Sequence, residues 1–96
     1  MFATVFPDSK VKRIATCAGS GASVLSGFPS DVWVTGEMSH HEVLDAVHAG
    51  TTVILADHSN TERGFLKVLA SRLEAEVGNN VRFEVSLTDR DPLQVV

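Results

Sequence analysis

His58 and Glu62 stand four residues apart, the spacing that brings two side chains to one point when a helix begins at the histidine. An imidazole and a carboxylate converging in this way suit Zn, Mn or Fe. Two donors do not make a site, and a third and fourth must come from elsewhere. His40 and His41 are candidates to supply them, or to act as acid and base. Both fall in a first helical turn, whose dipole disfavours imidazolium and so keeps them neutral near pH 7, as a ligand or general base must be; neighbours on a helix point about 100° apart, which argues against both holding one ion. A plainer role competes in each case. Ser39-His40-His41-Glu42 and Ser59-Asn60-Thr61-Glu62 both match the S-x-x-E capping box, in which serine and glutamate serve only to start a helix. The histidine pair equally suits a polar rim, and His48 suits a solvent-facing helix end.

Other polar residues admit the same two readings. Gly19-Ser20-Gly21 follows a strand pattern and offers backbone amides to an anion, or simply turns the chain. The dinucleotide fingerprint fails there, because Val24 occupies the third glycine position. Cys17 is either a nucleophile beside a rim histidine or a small residue packed at a strand end. Asp57 either orients His58 or solvates its loop.

These residues need a scaffold, and the chain is long enough for one. It has 96 residues, 8 Lys+Arg against 12 Asp+Glu, and a net charge of −4. That length is one domain with a modest core. Apolar residues make up 44% of it, which excludes a disordered tail or low-complexity linker. No apolar run exceeds five residues, so no segment reads as membrane-spanning, and the first nine residues lack the charges and apolar stretch of a secretory signal. A single cysteine cannot form an internal disulfide, which points to a reducing compartment. The acidic balance argues against direct nucleic-acid binding.

The pattern alternates strand and helix. Strands are expected over 11–17, 31–35 and 52–56, the last apolar nearly throughout, as for a strand covered on both faces. Short and medium helices fit 20–27 and 40–49. A long one fits 61–77, where Phe65, Leu66, Leu69, Leu73 and Val77 recur at spacings of three and four. Val81, Phe83 and Val85 alternate with polar residues as in a half-exposed edge strand, and 88–96 reads as an extended arm. This order implies an α/β fold, a mainly parallel sheet with helices on both faces in three layers. The loops at the carboxyl ends of parallel strands share one rim. Cys17, Glu37, His58 and Glu62 should therefore lie near the same sheet edge. Gly64, inside the first turn of the long helix, should mark a close backbone approach.

Three ordered segments carry a family resemblance: Cys17-Ala18-Gly19-Ser20-Gly21, Thr35-Gly36-Glu37-Met38-Ser39-His40-His41-Glu42, and His58-Ser59-Asn60-Thr61-Glu62-Arg63-Gly64. With the ending 88–96 they resemble the C-terminal lobe of the NIF-three-like (Ngg-interacting factor) family, eukaryotic branch, also labelled GTP cyclohydrolase I type 2. The resemblance covers about residues 10–96. It implies one lobe of a two-lobe fold around a dinuclear metal centre, with His58 and Glu62 as ligands and His40 and His41 lining the cleft as acid–base candidates. The remaining ligands belong to an N-terminal lobe that this sequence lacks. The expectation is a half-site of a metal-dependent hydrolase, holding divalent ions weakly and inactive alone, which self-associates through its bared face. The family alternative is a non-catalytic protein that binds transcriptional regulators, in cytoplasm or nucleus.

Overall fold

A computed structural model of the chain describes Phe2–Ala3 and residues 10–94 and 96. The first-nine-residue signal reading therefore lies mostly outside the described residues. The backbone forms two compact units, Met1–Glu62 and Arg63–Val96.

The first unit is the expected α/β arrangement. Strands β2 (Ile14–Ser20), β3 (Val32–Glu37) and β4 (Thr52–Leu55) alternate with helices α1 (Ala22–Leu25) and α2 (His40–His48). The sheet order is β1-β4-β3-β2, in which β2, β3 and β4 run parallel and the two-residue β1 (Phe2–Ala3) joins β4 antiparallel. The periodicity gave no sign of β1, because two residues are too few to show alternation. Helix α1 packs on β2 and β3, and α2 on β4. Leu25, Val53 and Val32 are the largest apolar side chains in the small core, joined by Ala22 and Ala46 from the helices. Asp31 aligns the entry to the sheet: its Oδ2 accepts from the Lys12 and Arg13 amides, each at 2.8 Å.

Register places the strand ends together. Cys17 pairs with Thr35, Thr35 with Leu55, and Ser20 with Glu37. The segments after β3 and β4 thus leave one edge, as parallel strands require.

Several boundaries differ from the sequence expectation. The first strand begins at Ile14 rather than Val11 and runs through Ala18, Gly19 and Ser20, which the pattern had assigned to a turn. The register shifts between Cys17 and Ser20, where Gly19 adopts φ +67°. A glycine in that conformation lets a strand carry an irregularity and continue. The helix expected over 61–77 is two helices, α3 (His58–Arg63) and α4 (Leu66–Val77), parted at Gly64 and Phe65. An added Cβ at Gly64 would meet nothing within 4 Å, so the expected close backbone approach is absent. Glycine here weakens the helix and allows it to break.

In the second unit, 81–85 forms no strand, although Phe83 and Val85 are half-buried alternately with exposed neighbours. Alternation specifies a face, but a strand also needs an edge to pair with. Arg63 instead fixes the segment that follows, its Nε and Nη2 donating to Asp89 at 2.8 and 3.2 Å. None of the residues of α4 is buried; Phe65, Val68 and Val77 are about half exposed, and Arg72 lies over the Phe65 ring at 5.3 Å.

Candidate metal centre

Helix α3 begins at His58 directly after β4, so His58 and Glu62 are one turn apart on one face. His58 Nε2 lies 3.2 Å from Glu62 Oε1. The Ser59–Glu62 capping box is therefore not formed; Ser59 lies inside the helix and the Glu62 carboxylate turns to the imidazole. The equivalent box in α2 is complete: the Ser39 amide donates to Glu42 Oε2 at 2.7 Å and the Glu42 amide to Ser39 Oγ at 3.3 Å. The Ser39 amide, and after it the Ser39 hydroxyl, hold the Glu42 carboxyl below the usual range.

The residue that orients His58 is Glu37, at the end of β3, rather than Asp57. Nδ1 lies 2.9 Å from Glu37 Oε1. A carboxylate only accepts, so the ring donates through Nδ1 and presents Nε2 to Glu62. The Glu37 hydrogen bond raises the His58 pKa; partial desolvation opposes it, and the charges of Glu62 and Glu37 add to the rise. Asp57 instead carries the one positive φ, 68°, of a non-glycine residue among those described, which makes the sharp entry from β4 into α3. In the sequence, Glu37 lies in the T-G-E segment, 21 positions from His58; only the strand order shows that its carboxylate reaches the imidazole.

The backbone beneath the pair has no side chain. A Cβ added at Gly19 would stand 2.6 Å from Glu62 Oε1 and 3.0 Å from His58 Nε2. One added at Gly36 would stand 2.9 Å from His58 Cα. Glycines at the ends of β2 and β3 thus make the room that the imidazole–carboxylate pair uses. This donor set, one nitrogen and one carboxylate oxygen over a bare backbone, fits a divalent cation in part. Among the described residues no group of three or more His, Cys, Asp or Glu side chains is placed to hold one. Glu37 cannot join, since it occupies the opposite edge of the imidazole.

His40 and His41 open α2 and touch each other edge to face, ring centres 5.8 Å apart. No described hydrogen bond or ion pair joins them to His58 or Glu62. Cys17 sits within β2, half-exposed, its thiol directed at the Ala18 carbonyl at 3.5 Å, and is not part of the cluster. Gly21 donates its amide to Thr35 Oγ1, so that end of the glycine segment is tied inward.

A short, mainly parallel sheet flanked by helices, with Glu37, His58 and Glu62 gathered at its carboxyl edge, defines a partial lobe of an α/β protein. The chain belongs to the Duf34/NIF3 (NGG1p interacting factor 3) family, whose model matches residues 2–92. It is 56% identical over 89 residues to NIF3-like protein 1 of Homo sapiens, covering 93% of this chain and 24% of that protein. It is 50% identical over 88 residues to NGG1-interacting factor 3 of Saccharomyces cerevisiae, covering 90% and 30%. The chain therefore spans about a quarter to a third of these relatives. A crystal structure of a Staphylococcus aureus hypothetical protein superposes on all of this chain and 33% of its own, with TM-score 0.69 and 29% identity. A Bacillus cereus protein related to NIF3 does so with TM-score 0.66 and 27% identity, over 28% of its length.

Proposed function

We infer that this chain contributes one side of a divalent-metal centre in a NIF3-family protein, with His58 and Glu62 as ligands and Glu37 orienting His58. The observation that carries this reading is the convergence of His58 Nε2 and Glu62 Oε1 at 3.2 Å over the bare backbone of Gly19. In the metal-free chain a proton on Nε2 satisfies Glu62. A cation between these atoms takes that proton's place, so binding and deprotonation are coupled. The Glu37 carboxylate on Nδ1 keeps the ring facing Glu62 and makes Nε2 more basic.

Bound divalent ions, two in a complete centre, would activate water and stabilise an oxyanion, the chemistry of a metal-dependent hydrolase. His40 and His41 are the acid–base candidates. They start a helix at the same sheet edge, and their exposed rings are held by no hydrogen bond among the described residues. Two ligands are fewer than the three that catalytic zinc sites take from protein, so this chain alone binds weakly and does not turn over. The other donors come from the remainder of a full-length protein or from a second copy.

A second reading has its own support. The yeast relative is named for interaction with NGG1, which favours a protein-binding role toward transcriptional regulators, in nucleus or cytoplasm. Among the described residues no helix is long and apolar enough to cross a membrane.

Titration calorimetry with Zn, Mn and Fe(II), on this chain and on His58→Ala, tests the metal reading. Weak binding abolished by the substitution supports it. Equal behaviour of the two chains overturns it, and tight binding of two ions per chain overturns the half-site. A metal-loaded full-length relative that cleaves no nucleotide or phosphoester favours the protein-binding role.

A further inference from the structure

The peptide of Gly19 is gripped by two hydroxyls. Its N–H donates to Thr61 Oγ1 at 2.8 Å, and its carbonyl accepts from Thr35 Oγ1 at 3.1 Å. The Thr61 hydroxyl in turn donates to the His58 carbonyl at 2.8 Å. Thr61 stands between His58 and Glu62 in the same helical turn, yet its partner at Gly19 is 42 residues away. It therefore ties the turn that carries both donors to the strand end beneath them. Thr35 is 1% exposed and also accepts from the Gly21 amide at 3.1 Å, so the far side of the grip is anchored in the core. The tolerances are small. A Cβ at Gly36 would stand 2.7 Å from the Gly19 carbonyl and 2.8 Å from Thr61 Oγ1.

We propose that Thr61 is a positioning residue, whose hydroxyl holds the side-chain-free Gly19 peptide as the wall beside His58 Nε2 and Glu62 Oε1 and thereby sets the room for a cation there. The proposal rests on the reading of His58 and Glu62 as metal ligands. A threonine that only bonds back to the carbonyl three residues earlier would be an ordinary helix feature. The Gly19 bond is what makes Thr61 more than that. Valine matches threonine in shape but cannot accept the Gly19 N–H, which would lose its partner in a part-buried position.

The experiment compares wild type, Thr61→Val, Thr61→Ser and His58→Ala by two readouts. The first is the NMR signals of the His58 ring carbons and protons in the metal-free chain. The second is a Co(II) titration followed by calorimetry and by the visible absorption of the bound ion. Thr61→Val is expected to move the His58 ring signals, weaken Co(II) binding by about 10- to 100-fold and change its spectrum, the loss typical of disturbed outer-sphere partners. Thr61→Ser, which keeps the hydroxyl, is expected to restore all three. Ring signals unchanged in Thr61→Val overturn the proposal whatever cobalt does, and so does a shift that serine fails to reverse. If the signals move and return while wild type binds cobalt no better than His58→Ala, the positioning role stands and the metal reading falls. Amide exchange in the wild-type chain is a check that needs no variant to fold: a Gly19 amide exchanging as fast as an exposed one overturns the grip.

Discussion

Glu37 Oε1 and His58 Nδ1 meet at 2.9 Å although one ends β3 and the other opens α3, 21 residues later. The contact exists because β3 and β4 are parallel neighbours whose ends coincide, Thr35 pairing with Leu55. It is the main cause of the raised His58 pKa. Glu37→Gln removes the charge and keeps the shape, so the His58 pKa is expected to fall back toward its ordinary value of about 6.5. NMR titration of the His58 ring in the two chains measures this; an unchanged midpoint would assign the shift to Glu62 instead. With the folded value raised, the contribution of His58 to stability is fully present below the unfolded pKa and is lost as pH rises through the folded one.

Metal affinity should run the opposite way with pH. On the proposed reading a cation would displace the proton between His58 Nε2 and Glu62, so Zn binding is expected to strengthen as pH rises through the elevated His58 pKa and then level off. In Glu37→Gln the levelling should occur at lower pH. Calorimetric titrations at a series of pH values would show it, and a flat profile would exclude His58 as a ligand.

Acid should act on the chain through Asp31, whose carboxyl is lowered by the backbone amides of Arg13 and Lys12. Its stabilisation is complete above the unfolded carboxyl value and is lost as pH falls through the depressed one. Asp31→Asn is expected to unfold less steeply with acid below about pH 4, and to be less stable than wild type at pH 7. Thermal melts across pH 2–7 decide the matter.

Two glycines should respond oppositely to alanine. Gly64 has open space for a Cβ and no positive φ, so Gly64→Ala is expected to stabilise by about 0.4–1 kcal/mol through the unfolded state. Gly36 faces three atoms within 2.7–2.9 Å, and Gly36→Ala is expected to destabilise by on the order of 1–3 kcal/mol, with a shift of the His58 ring signals. Denaturant melts measure both.

Arg63 closes the second unit on its own C-terminal segment through Asp89, whose pKa it lowers. Arg63→Ala is expected to speed amide exchange over 83–89 while leaving β2 to β4 protected. Hydrogen exchange followed by mass spectrometry resolves the two regions.

Local patterns carried much of this in the sequence itself. The run 52–56, the capping box at Ser39 and Glu42, and the four-residue step from His58 to Glu62 depend on neighbours along the chain, and each appears as β4, the start of α2 and one face of α3. The strand–helix order also implied one shared rim, because parallel strands send their carboxyl ends to the same edge. What depends on distant partners was not legible. Glu37 reaches His58, and Thr61 reaches Gly19, only because β2, β3 and β4 lie side by side. The same lack of long-range information made Val81, Phe83 and Val85 look like a strand, which needs an edge as well as a pattern, and made Gly64 look like a packing site when it lies in the open break between α3 and α4. Periodicity records which face of a segment is apolar; only the packed sheet determines which side chains meet across it.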